Sequence, residues 1–147
     1  MIENRKAFLD MLAWAEGTSR IPDSDNGYNV VVGGTLFYDY SDHPRQHVYI
    51  PRYKLYSTAA GRYQLLSRYF DHYKKRLNLK DFSPASQDAI ALQQIKERHA
   101  LSDIDAGRFD DAVIKVRNIW ASLPGAGYGQ REQKLAKLRR VYLDSGG

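Results

Sequence analysis

In the segment FLDMLAWAEGT, residues 8–18, a glutamate stands where an apolar side chain is expected. At about 3.6 residues per turn, Phe8, Leu12 and Glu16 fall on one line flanked by Leu9 and Ala13, so the carboxyl of Glu16 continues a stripe of core residues. Gly17 follows at once, and glycine commonly ends a helix. A carboxylate placed there loses water and faces the negative end of the helix macrodipole, and both effects raise its pKa. A carboxyl group poised near neutrality is suited to general acid–base catalysis, giving a proton to a leaving group or taking one from a nucleophile. The competing expectation is that Glu16 bends out to solvent or meets an arginine.

The other glutamates have ordinary placements: Glu3 and Glu132 near helix starts, Glu97 between Lys96 and Arg98. Asp39 and Asp42 are the aspartates that would supply a second carboxylate if the chemistry were that of a two-carboxylate glycosidase. His43 and His47 are four apart, but Pro44 between them argues against a helix presenting both to a metal. No metal site is expected, and the four histidines are read as surface residues. The chain has no cysteine, which excludes disulfides, zinc thiolates and thiol nucleophiles. It also has no phosphate loop, dinucleotide-binding glycine pattern or nucleophile elbow, so no cofactor is expected.

Two further stretches have the make-up of binding sites. In STAAGRYQLL, residues 57–66, small residues precede Tyr63 and Gln64. Small residues let backbone approach a ligand, while a phenol and an amide supply oriented donors and acceptors. In LPGAGYGQ, residues 123–130, Tyr128 sits between glycines. The plainer expectation for these two is the start of one helix and the end of another.

These residues must be held by elements legible in the pattern. The first helix spans about 3–16. Residues 20–44 are rich in turn formers and β-branched residues. Asn26-Gly27 and Gly33-Gly34 mark turns, Tyr28–Val32 and Leu36–Tyr40 alternate as short strands, and a loop through Pro44 and Pro51 follows. From Ser57 or Thr58 as cap, Tyr63, Leu66, Phe70, Tyr73 and Leu77 recur at helical spacing. Ser83-Pro84 opens another helix, FDDAVIKVRNIWASL continues as one up to Pro124, and the last runs from about Arg131 to Leu143. The fold class expected is α+β, mainly α: a single domain over residues 1–147 with a small antiparallel sheet beside a helical body.

Tyrosine is over-represented, 11 against 5 Phe and 2 Trp, which suits a groove for sugars, bases or peptides as well as an amphipathic core. The net charge of +5 favours polyanions non-specifically. Clusters such as Lys74-Lys75-Arg76 and Arg139-Arg140 are read as solvated helix faces. No nucleic-acid partner is expected, because no helix concentrates its arginines on one face. No apolar run approaches the ~20 residues of a membrane span, and the mixed-charge N-terminus lacks a signal-peptide core. The expectation is a chain with no route of its own across a membrane and no stable membrane association.

RKAFLDMLAWAEGT, VVGGTLFYDYSDHPR, STAAGRYQLLSRYFD, LKDFSPASQDAIALQQIKER and NIWASLPGAGYGQ, in this order, resemble the endolysin family of bacteriophage lambda and its lambdoid relatives. The resemblance covers about residues 3–147. It implies a lysozyme-like fold of the goose type and a lytic transglycosylase of peptidoglycan. The family's catalytic acid is the glutamate of its EGT motif, here Glu16. The GRYQ stretch resembles the glycine-x-x-glutamine motif of the wider fold, placing Gly61, Tyr63 and Gln64 along the saccharide cleft. Tyr128 resembles a tyrosine that orients the glutamate, and Ser57 carries over as a further substrate-binding residue. The resemblance further implies glycan strands as partner, no cofactor, action as a monomer, and release from the host cytoplasm to the periplasm by a holin. The alternatives are a hydrolytic lysozyme using Glu16 with Asp39 or Asp42, and a non-catalytic module binding cell wall or polyanions. Residues 19–26 and a shorter end after the last helix depart from the family pattern.

Overall fold

The structure, a computed structural model, describes residues 2–125 and 134–147. It is mainly helical with one two-stranded antiparallel sheet. The chain divides into two compact units, one of residues 1–16 and 91–147, the other of residues 17–90.

The first unit is built on α1 (Glu3–Glu16), the helix expected from the apolar spacing. Ala7, Phe8, Leu9, Met11, Leu12, Ala13 and Ala15 are all buried, so α1 is apolar around most of its circumference. A helix of that kind belongs inside a bundle. It contacts α4 (Leu101–Asp105) and α6 (Leu135–Asp144), and α5 (Phe109–Val116) packs on both of those. Phe8, Phe109 and Tyr142 meet ring to ring, with centroids 5.9 Å apart for Phe8–Phe109 and 4.7 Å for Phe109–Tyr142. Truncating a buried phenylalanine such as Phe8 costs about 3–5 kcal/mol.

The long helix expected up to Pro124 stops at Val116. The amides of Ile119 and Trp120 both turn back to the Val116 carbonyl, and the Leu123 amide to that of Trp120. Burial of the Trp120 and Leu123 side chains holds this turn rather than a further helical stretch. The short α4 was not expected. The start of the last helix near Arg131 lies outside the described residues, and α6 is described from Leu135.

In the second unit the sheet lies elsewhere than expected. β1 (Val48–Ile50) pairs with β2 (Leu55–Ser57), Tyr49 opposite Tyr56, in the stretch read as a proline loop. Pro51 sits in the turn between the strands, where its missing N–H costs nothing. Residues 28–40 form bridges instead of a ladder, because their pairing is shared. Val30 pairs with Leu36 across the Gly33-Gly34 turn, whereas Val31 pairs with Ala60. Asn26-Gly27 makes its turn as expected, with φ 50° and 86° and the Tyr28 amide donating to the Asp25 carbonyl.

The helix expected from Ser57 begins only at Ser67, as α2 (Ser67–Arg76). Ala60 and Leu65 pair with each other, and Gly61 and Gln64 take left-handed φ of 85° and 54°, so residues 61–64 are a tight turn. Neither Ser57 nor Thr58 caps it: the N-cap position is Leu66, without a side-chain cap, and Thr58 Oγ1 instead accepts the Ser67 N–H at 3.0 Å from nine residues away. α3 (Pro84–Glu97) starts as expected, with Ser83 Oγ accepting the Ser86 N–H and proline at the first helical position. The apolar core of this unit gathers Val31, Phe37, Ala60, Phe70, Tyr73, Phe82 and Ile90.

Two further expectations are corrected here. His43 is not a surface residue: it is 2% exposed, its ring 4.9 Å from that of Phe82. Nor do the arginines avoid a common face, because α2 turns Arg68 and Arg76 to solvent on one side together with Lys75.

His43 Nδ1 accepts the Arg45 N–H at 2.9 Å, so its Nε2–H donates to the Leu65 carbonyl at 2.8 Å, the hydrogen bonding of a neutral ring. Burial, helped by the Arg45 charge, holds the His43 pKa below the usual histidine value, against the Leu65 bond and the Asp42 and Asp71 charges. A depressed folded-state pKa adds stability that is present above the unfolded value near 6.5 and lost as pH falls through the folded one. In urea unfolding the wild type is therefore expected to lose stability relative to His43→Gln as pH falls below about 6.5. In His43→Gln that part of the slope should disappear, on top of a constant packing loss.

Candidate active site

Glu16 is the last residue of α1, and Gly17, with φ 85°, turns the chain immediately after it. Its polar partner is Ser122, whose hydroxyl donates a hydrogen bond to Glu16 Oε2. Ser122 is buried, held between the buried Trp120 and Leu123 in the turn after α5. Neither expected alternative is found: Glu16 is only partly exposed, and its carboxyl is bonded to a hydroxyl. Burial pushes its pKa up to about 7, and the Ser122 bond pulls the other way without overcoming it. An ordinary glutamate is protonated in only about one molecule in several hundred at pH 7, whereas Glu16 is divided about evenly between its two states.

The other carboxyl groups of this unit have different surroundings. Asp105 pairs with Arg5 at 2.7 Å, and Asp103 with Lys115 at 2.6 Å and Arg108 at 2.8 Å, and these partners hold both acids below the usual range. Asp110 pairs with Arg139. Glu16 thus combines apolar burial with a pKa moved in the opposite direction.

Ser57, Gly61, Tyr63 and Gln64 lie in the second unit. Ser57 ends β2, and its Oγ accepts the Ala59 N–H at 3.1 Å. The other three share the turn of residues 61–64. At Gly61 a Cβ would stand 2.5 Å from Gln87 Oε1 and 2.8 Å from the Phe82 ring, so the position excludes any side chain. Gln64 Nε2 donates to the carbonyls of Gly61 and Val30, at 3.0 and 3.2 Å, folding the amide back across the turn.

Tyr63 is buried. Its hydroxyl donates to Asp88 Oδ1 at 2.6 Å and accepts from Arg62 Nη1 at 3.1 Å. Its ring, like that of Tyr28, lies against the buried Arg62 guanidinium, 5.7 and 5.1 Å from the two centroids. Tyr28 also donates to Asp88, at 2.9 Å. Burial raises the Tyr63 pKa above the ordinary phenol value, so the hydroxyl stays protonated and braces the turn. Thr18, two residues after Glu16, donates its hydroxyl to the Arg62 carbonyl at 2.6 Å.

Ser122, Arg62, Gln87 and Asp88 escaped the sequence reading. A serine inside the apolar run IWASL is a mild signal for a buried hydroxyl needing a partner, whereas nothing in the sequence joins Asp88 to Tyr63. Asp39 is exposed and accepts the Ser41 N–H, while Asp42 pairs with Arg45, which also bridges to Asp71 at 2.6 Å. These bonds hold Asp39 and Asp42 below the usual carboxylate range. Tyr128 lies outside the described residues. Among the described residues no group of three His, Cys, Asp or Glu is placed to hold a metal.

The family model "Endolysin" matches residues 6–147. The chain belongs to the endolysin family. It is 61% identical to the endolysin of Escherichia phage lambda over 145 residues, 97% of this chain and 91% of that one. Its identity to the endolysin of Escherichia phage P2 is 53% over 156 residues, 99% of this chain and 94% of that one. The fold is that of bacteriophage lambda lysozyme solved in complex with a chitohexasaccharide, with a TM-score of 0.96 at 60% identity, covering 100% of this chain and 96% of the other. A second structure of the lambda lysozyme gives a TM-score of 0.92. The architecture is therefore lysozyme-like, and the chain is an enzyme of phage cell-wall lysis acting on peptidoglycan.

Replacing Ser122 by alanine removes the one contribution that opposes burial. The Glu16 pKa should then rise above about 7, read from the carboxyl 13C shift in an NMR titration. The loss of one hydrogen bond is expected to cost about 1 kcal/mol in stability. An unchanged or lower titration midpoint would contradict this account of the site.

Proposed function

We propose that the chain is a lytic transglycosylase that cleaves the bond between N-acetylmuramic acid and N-acetylglucosamine in peptidoglycan. Glu16 acts as acid and then as base. The observation that carries this reading is a single carboxyl at a helix end, raised to about 7 by burial and held by one serine hydroxyl.

A group half protonated at neutral pH can deliver its proton to the glycosidic oxygen and remain as a carboxylate afterwards. The C–O bond at muramoyl C1 breaks and the leaving sugar takes the Glu16 proton. The muramoyl C6 hydroxyl oxygen then bonds to C1, and its proton passes to Glu16. The product is a 1,6-anhydromuramoyl end, and Glu16 returns to its starting state with no water consumed. Because the nucleophile belongs to the substrate, proximity replaces the positioning of a water molecule and no second carboxylate is required. The engagement of Asp42 with Arg45, and of Asp39 with its own turn, favours this over a two-carboxylate lysozyme.

Ser122 is the residue that fixes the Glu16 rotamer, leaving Oε1 for proton transfer. The turn of residues 61–64 with Ser57 forms part of the saccharide site, and Tyr128 orients the acid, as the family resemblance implies. The complex of the lambda lysozyme with a chitohexasaccharide supports glycan binding by this chain. On the same reading the enzyme works as a monomer without cofactor, in the host periplasm after holin-dependent release.

Mass spectrometry of purified peptidoglycan digests tests the mechanism. Wild type is expected to yield muropeptides one water lighter than hydrolysis products, and Glu16→Gln none, while keeping its fold. Full-mass reducing ends from the wild type would establish a hydrolytic lysozyme instead. The rate should fall about tenfold per pH unit above the Glu16 pKa of about 7, since the proton donor is lost there. Folding responds with the same sign. A pKa raised on folding favours the protonated form, so wild type should lose stability relative to Glu16→Gln as pH rises from about 4.5 to above 7.

A further inference from the structure

The charge of this chain is unevenly distributed. Between His43 and Lys80 there are nine lysines and arginines and one acid, Asp71. Asp71 is already engaged by Arg45. This excess comes to a head on α2. Phe70 and Tyr73 of that helix are buried in the core of the second unit. On the opposite side Arg68, Tyr69, His72, Lys75 and Arg76 are exposed, and helical spacing sets them within one stripe about a third of the circumference wide. The stripe holds three cations, and the acid at its border, Asp71, is exposed and paired with Arg45. Its start is tied to the candidate saccharide-site residues, because Ser67 donates to Thr58 and only Leu65 and Leu66 separate Gln64 from it.

We propose that the exposed stripe of α2 is a docking surface for the carboxylates of peptidoglycan stem peptides, so that the enzyme holds its polymer by the peptides as well as by the sugar chain. This rests on peptidoglycan being the substrate. The glycan itself offers neutral hydroxyl and acetamido groups, whereas each stem peptide carries free carboxylates. Guanidinium and ammonium groups beside a tyrosine form charge-assisted hydrogen bonds with such carboxylates. Many weak contacts along a repeating anionic polymer add through effective concentration. A lipid surface fits less well. Tyr69 is the large apolar side chain of the stripe, and the apolar face of α2 is turned into the core, which leaves little to enter an acyl layer.

The test is co-sedimentation of the full chain, in its non-cleaving Glu16→Gln form, with three materials. These are intact peptidoglycan sacculi, glycan strands stripped of peptides by an amidase with the freed lactyl carboxylates capped as methyl amides, and phosphatidylglycerol vesicles. A triple variant, Arg68→Gln with Lys75→Gln and Arg76→Gln, is compared with Arg68→Lys with Arg76→Lys, which keeps the charge; thermal melts confirm that both fold. Expected is tighter binding to sacculi than to stripped strands, weakening with salt. The triple variant should bind sacculi about tenfold more weakly and stripped strands equally well, with the lysine variant restoring sacculus binding. Equal binding of sacculi by the triple variant, or equal binding of sacculi and stripped strands by the parent, would overturn the proposal. Vesicle binding that depends on the same three residues, without the sacculus preference, would assign the stripe to lipid and overturn it too. The chemistry fails separately: it is read from the wild-type product masses, which do not depend on α2.

Discussion

The burial of one carboxyl group at the end of α1 is the constraint around which the first unit is arranged. α1 carries core residues on most of its sides, so its last turn enters apolar surroundings whatever residue stands there. A glutamate in that turn either ionises at a cost or takes up a proton, and a pKa near 7 records a balance between the two. Ser122 sets that balance, because a single hydroxyl donor favours the charged form without fully compensating burial. Its position depends on the turn that replaces the end of the expected α5 helix, and so on the burial of Trp120 and Leu123. The poise of the acid thus depends on apolar packing two residues to one side and one to the other.

The second unit solves a different problem, how to hold a tight turn of unusual backbone conformation. Gly61 and Gln64 are left-handed, and Gly61 has no room for a β-carbon. The turn is over-determined by polar contacts: Gln87 receives the Arg62 N–H, Gln64 closes on two carbonyls, and Thr18 donates to Arg62. Arg62 itself is a buried cation, which is tolerable only if paired and hydrogen-bonded. It lies against two tyrosine rings, and those tyrosines meet at Asp88. Buried networks of this kind are costly when incomplete and rigid when complete. Part of the tyrosine excess is explained here, since Tyr28 and Tyr63 act through both ring face and hydroxyl.

The electrostatic organisation follows the same division of labour. Acids in the helical unit are largely matched by neighbouring bases, as Asp103, Asp105 and Asp110 show. In the second unit the cations of residues 43–80 outnumber the acids and gather on α2. Exposed charges contribute little to stability one by one but set the field that a charged polymer meets. A net charge of +5 read from composition carries no direction; its concentration on one helix stripe does.

Sequence by itself determined α1, the conflict at Glu16, the Asn26-Gly27 and Gly33-Gly34 turns, the Ser83-Pro84 helix start and the family. All of these rest on short-range periodicity, on turn chemistry, or on long ordered motifs. Tertiary structure alone decided that the regular sheet falls on residues 48–57, that α2 begins at Ser67, that His43 is internal, and that Ser122 reaches Glu16. The reason is physical. Helical spacing from Tyr63 to Leu77 is satisfied locally, but the Ala60–Leu65 pairing and the left-handed turn cancel it over its first residues. The Glu16–Ser122 bond joins residues 106 positions apart, and the Tyr63–Asp88 bond residues 25 apart. Local preference does not encode such partners, which come together only when apolar burial folds the chain over itself.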